Sequence, residues 1–84
     1  MKRIAIIGAI LEDPASCQQE FNRVVSAHKG MVRGRMGIPF EEAGASVISI
    51  TVLGEVDEIN ALTGKLGKIK NITVKTAISS KDIL

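Results

Sequence analysis

The length of 84 residues points to one domain, spanning 1–84. With 45% hydrophobic and 24% charged residues the chain reads as globular rather than disordered, and a net charge of +2 is too slight to announce a nucleic-acid binder. No Trp, no Tyr and two Phe exclude an aromatic platform for bases, and a single Cys with a single His excludes disulfide frameworks, Cys/His zinc sites and haem attachment.

Met1-Lys2-Arg3 ahead of the apolar run from Ile4 to Leu11 has the outline of a signal peptide. The run is short, however, and stops at Glu12-Asp13-Pro14 without a small-residue cleavage site. No stretch approaches the roughly 20 apolar residues that span a bilayer. No membrane association is expected, and a cytoplasmic location is. Apolar residues at both parities from Lys2 to Leu11 predict a strand covered on both faces.

Asp13-Pro14 supplies an N-cap and a first helical residue. Cys17, Phe21, Val24, Val25 and His28 then share one helical face, and Lys29-Gly30 should end the helix with glycine as its cap. Met31 to Ile38 predicts a second strand. Gly34 and Gly37 within it signal a bulge or a close backbone approach, and Pro39 confines its end to an edge or a turn. Phe40 to Gly44 reads as a loop.

Ala45 to Leu53 alternates, with Ile48, Ile50 and Val52 on a core face and Ser49 and Thr51 on the other. Gly54-Glu55 opens a second helix whose stripe is Ile59, Leu62, Leu66 and Ile69. Asp57 and Glu58 at its start, and Lys65, Lys68 and Lys70 near its end, suit the helix dipole. Gly64 and Gly67 weaken that helix and suggest close packing or a bound group. Ile72, Val74, Thr76 and Ile78 form one side of a fourth strand, and Ser79 to Leu84 a tail.

The order βαββαβ predicts an α+β, ferredoxin-like sandwich: a four-stranded antiparallel sheet with two helices on one face. Its other face lies bare. Ser49, Thr51, Thr73, Lys75 and Ala77 are expected there, neither strongly charged nor greasy. A small core and a bare sheet together predict a homodimer or homotetramer.

Gly34-Arg35-Met36-Gly37-Ile38-Pro39-Phe40, Gly44 to Ile50, Ala61 to Ile69 and Val74-Lys75 carry a resemblance. In these segments, and in the opening strand with its Glu12-Asp13 turn, the chain resembles the family of iron-only hydrogenase system regulators. The resemblance implies an ACT-like, ferredoxin-like domain, similar to the C-terminal domain of the nickel-responsive regulator. It also implies assembly as dimers or tetramers and a non-enzymatic regulatory role. Two departures matter. Amino-acid-binding ACT domains tend to carry an Asp and a Pro-Gly pair after the first strand, whereas Ala15 follows Asp13-Pro14 here. The nickel-responsive regulator uses several His and a Cys as ligands, so its metal site is not inherited.

Cys17 and His28 lie eleven residues apart, about 16 Å along a helix, too far to share one metal ion. They read as a buried thiol and a helix-end imidazole, and no metal or cofactor is expected. Arg33 and Arg35, taken to share one side of the second strand and flanked by Gly34 and Gly37, form the candidate ligand site. Two guanidinium groups beside open backbone donors would receive an anion or a carboxylate. The same charges could simply protect an edge strand from aggregation.

Gly64-Lys65-Leu66-Gly67-Lys68 lacks the spacing of a phosphate-binding loop, and Glu41-Glu42 and Glu12-Asp13 are solvated turn acids. No catalytic set follows from spacing. The expected function is therefore a homo-oligomeric regulator that senses a small molecule or binds a protein partner. An alternative is transcription-related nucleic-acid contact through Arg33, Arg35, Lys65, Lys68 and Lys70; another is an oligomeric scaffold without a ligand.

Overall fold

A computed structural model describes all 84 residues. The strands are β1 (Arg3–Leu11), β2 (Val32–Phe40), β3 (Ala45–Gly54) and β4 (Ile72–Ile78), and the helices are α1 (Pro14–Ala27) and α2 (Val56–Gly67). They follow the order βαββαβ and form one antiparallel sheet, β2-β3-β1-β4, of the ferredoxin-like kind. The doubly apolar first strand lies in the interior of the sheet, paired with β3 on one side and β4 on the other.

Alternation along each strand sorts the residues into two layers. Ala5, Ile7, Ala9 and Leu11 of β1 and Ile48, Ile50 and Val52 of β3 are buried beneath the helices. Cys17, Phe21 and Val25 of α1 meet them, as do Ile59, Leu62 and Leu66 of α2 with Ile69 just beyond it. The small Ala5 and Ala9 let both helices approach the middle of the sheet, while Phe21 fills the remaining space. No polar or charged side chain is buried.

Several local details differ from the sequence expectations. The Asp13 side chain caps nothing. Its backbone carbonyl instead accepts from Ser16 N–H at 3.0 Å, Ser16 Oγ at 2.9 Å and Cys17 Sγ at 3.2 Å. Helix α1 stops at Ala27, before Gly30, because Lys29–Met31 tightens into a 3-10 turn that buries Met31 against the sheet. Strand β2 runs on through Pro39 to Phe40. An edge strand tolerates a proline because one row of its backbone groups needs no partner. Glu41–Ala43 then form a 3-10 turn, closed by Gly44 at φ +65°. Gly54 closes β3 rather than opening α2. Glu55 is the N-cap, and its N–H donates to the Glu58 carboxylate at 3.3 Å.

The tail turns back along the start of β1, with Ser79 N–H donating to Ile4 O at 2.8 Å and Ile83 N–H to Lys2 O at 2.6 Å. Arg3 pairs with Asp82 at 3.3 Å. No helix is long and apolar enough to cross a membrane.

Gly64 and Gly67 pack against nothing within the chain, since a Cβ at either would meet no atom within 4 Å. Gly64→Ala is therefore expected to stabilise the isolated fold by about 1 kcal/mol through helix propensity. Leu62→Ala, which empties a fully buried position, is expected to cost about 2–5 kcal/mol. Urea denaturation followed by circular dichroism measures both.

Candidate functional site

Arg35 lies on the edge strand β2 and is held there by two neutral groups. It pairs with Ile50 of β3, so it points to the helix side of the sheet. There its guanidinium lies 5.5 Å from the centroid of the Phe21 ring, within reach of the ring's negative face. It also donates to Asn22 Oδ1 at 2.6 Å. Phe21 is fully buried, so the platform under Arg35 belongs to the core. None of the chain's three ion pairs involves Arg35. Its charge is thus fixed in place by neutral groups and left without a counter-charge.

Beside it opens a notch of about 360 Å3, lined by Gln18 of α1, Arg35, Gly37, Ile38 and Pro39 of β2, and Ser46 and Ile48 of β3. Gly37 and Pro39 follow Arg35 at the two-residue repeat and face the same side. At Gly37 no side chain fills the space, and a Cβ there would only touch Ile48 Cγ1 at 4.0 Å. Arg35 is the one ionisable residue of the lining, and a guanidinium does not deprotonate in proteins. The notch thus offers hydrogen-bond donors and no general base.

Arg33 and Gly34 do not join it. The register slips between Val32 and Gly34, so the bulge inserts Arg33 as an extra residue and reverses the parity. Gly34 pairs with Thr51 on the open face. Arg33 lines a separate hollow of about 350 Å3 with Ile4, Thr51, Leu53, Ile83 and Leu84. The two arginines expected on one side thus lie on opposite faces. The glycines had signalled a bulge, but its phase depends on pairing with β3, which local sequence does not disclose. Phe21 and Asn22 as partners of Arg35, and Gln18 and Ser46 as lining of the notch, were also missed. Gln18 and Asn22 form an i, i+4 pair flanking the apolar stripe, the one local hint that they share a border.

The bare face is more apolar than expected. Besides Ser49, Thr51, Thr73, Lys75 and Ala77, it carries the even residues of β1 and the alternate residues of β2. Ile4, Ile6, Ile10, Met36, Ile38 and Phe40 are all substantially exposed there, Ile6 by 53% and Met36 by 60%. The other singled-out groups have local partners. His28 Nε2 lies 3.2 Å from Lys65 Nζ, and Cys17 is a buried free thiol. No group of three or more His, Cys, Asp or Glu side chains is placed to hold a metal ion.

Residues 3–76 match the TM1266-like family model, described as "Iron-only hydrogenase system regulator, putative". The chain belongs to that family. Its fold is similar to the structure of the uncharacterised protein TM1266 from Thermotoga maritima, with a TM-score of 0.89 and 29% identity over 93% of this chain and 98% of that one. More distant likenesses show the fold alone. The de novo designed protein Foldit4 matches at a TM-score of 0.63 and 12% identity, covering 96% of this chain and 99% of that one. A formyltetrahydrofolate deformylase from Pseudomonas syringae pv. tomato matches at 0.63 and 11% identity, covering 96% of this chain but 28% of that one. No curated protein matches the sequence.

Burial raises the Cys17 thiol above its ordinary pKa, only partly offset by its hydrogen bond to the Asp13 carbonyl. An acid whose pKa is raised by folding adds stability below its unfolded pKa and loses it as pH climbs through the folded one. Cys17 is expected to resist iodoacetamide in the native protein and to react readily in urea. A pH rise beyond the usual thiol range should lower the unfolding midpoint more in the native sequence than in Cys17→Ala.

Proposed function

We propose that this chain is a non-enzymatic regulatory protein of the iron-only hydrogenase system type that acts as a homo-oligomer, with a second copy covering the open face of the sheet. The observation that carries this reading is the open face itself. Ile4, Ile6, Ile10, Met36, Ile38 and Phe40 lie exposed on one surface, with Val47 of β3 bridging Ile10 and Ile38, whereas monomers rarely leave large apolar patches in water. Among strand residues on that face Lys75 is the charged one in the pairing register, apart from Arg33 at the bulge.

The size of the face fits a second copy. Four strands about 4.8 Å apart, each with some seven paired residues at about 3.4 Å, give a flat footprint of roughly 450 Å2. An isologous pairing would bury on the order of 1,000 Å2 in total, the lower bound of a specific interface. The family membership supplies the regulatory context. Nucleic-acid contact gains no support, because Arg33 and Arg35 lie on opposite faces and do not form one basic stripe.

Light scattering coupled to size exclusion is expected to give a multiple of the 9.0 kDa chain mass. Ile6→Lys should reduce it to the single-chain mass while the circular dichroism spectrum stays native, since Ile6 is 53% exposed within one chain. A native sequence that runs as a monomer at tens of micromolar would remove the reading.

A further inference from the structure

We infer that the notch beside Arg35 is a binding site for a short-chain carboxylate. The site opens on the helix side of the sheet and shares only Ile38 with the face assigned to self-association, so it goes beyond that reading and does not depend on it.

Arg35 anchors the site. A surface arginine normally keeps its rotamer freedom or finds a carboxylate. Arg35 does neither, being stacked at 5.5 Å over a core phenylalanine ring and anchored at 2.6 Å to the Asn22 side-chain oxygen. Both partners are neutral, so the charge is positioned but not balanced. Asn22 occupies one edge of a five-donor fork and leaves the other donors for a ligand. These contacts hold part of a long side chain in place before anything binds, which favours affinity.

The surroundings select the class of anion. Gln18 contributes an amide and Ser46 a hydroxyl beside the guanidinium, while Ile48 and Pro39 give an apolar wall. One fixed positive charge balances one negative charge. A carboxylate matches the planar fork and can take two parallel N–H bonds. A phosphate dianion would want a second cation, and the lining has none. At about 360 Å3 the notch is at the small end of ligand sites. Gly37 keeps it open, and its backbone is not in the left-handed region, so a larger residue is conformationally allowed.

Nuclear magnetic resonance titration of the full chain with pyruvate and acetate tests the assignment, with sodium chloride at matched ionic strength and inorganic phosphate as separate arms. Saturable shifts are expected for Gln18, Gly37 and Ser46 with a carboxylate and not with chloride. Arg35→Gln should weaken binding about ten- to a hundredfold, by the loss of charge-assisted hydrogen bonds. Gly37→Val, a residue type that suits an edge strand, should abolish binding while the thermal melt stays cooperative. The assignment is overturned if neither carboxylate shifts those amides at about 10 mM, if Arg35→Gln binds as well as the native chain, or if phosphate binds more tightly than both carboxylates. Sedimentation on the same samples separates these outcomes from any change in oligomeric state.

Discussion

Everything in this molecule follows from a strand that needs cover on both sides and receives it within the chain on only one. β1 lies between β3 and β4, with its odd residues beneath the helices and its even ones facing outward. Right-handed crossovers place both helices of a split βαβ pair on the same face of the sheet. No third helix is available for the reverse. Ile4, Ile6 and Ile10 are therefore the residue of a topological rule rather than an accident of composition. A chain of 84 residues with 16 buried has little stability to spare for such exposure.

The same geometry makes the notch. The contact of Arg35 with Phe21 and Asn22 places α1 toward the β2 side, while the Thr63–Thr76 hydroxyl pair at 2.8 Å joins α2 to β4. The helices fill the middle of the layer, and the far end of β2 extends past their packed stripe. A large side chain at position 37 would have closed that end. Gly37 leaves Ile48 reachable instead, and Gln18 and Ser46 complete the rim. The opening is thus an edge effect of two helices laid over four strands, given chemistry by one arginine.

Much of this was legible in the residues, and what was not has a common cause. Periodicity alone placed Ile48, Ile50 and Val52 inside, and Ile59, Leu62 and Leu66 on the core side of α2 with Ile69 just beyond it. Those are local, repeating signals with a strong energetic preference behind them. The errors lie where a long-range partner decides. Gly34 announced a bulge, yet only the register against β3 reveals that Arg33 is the inserted residue and that Arg35 faces the helices. Met36 and Ile38 were then missing from the open face for the same reason, since one inserted residue moves every later side chain across the sheet, and Phe40 because the strand runs past Pro39. For Gly64 the helix cost was plain, and nothing within the chain uses the space it leaves.

Alternation also ties the two faces together. Along β2, Arg35 and Gly37 face the notch while Met36, Ile38 and Phe40 face the open side, so one nine-residue strand borders both. Along β3, Ser46 and Ile48 border the notch, and Val47 and Ser49 lie between and beyond them on the reverse. A packed sheet transmits small shifts because its interior has few voids to absorb them. A group that draws Arg35 and Gly37 toward α1 therefore acts on the same backbone that sets the spacing of Met36 and Ile38. If a second copy covers the open side, linkage makes any effect of that copy on the notch reciprocal with the effect of the notch's occupant on association. With a single sheet between two surfaces, such an effect would require no hinge and no separate domain.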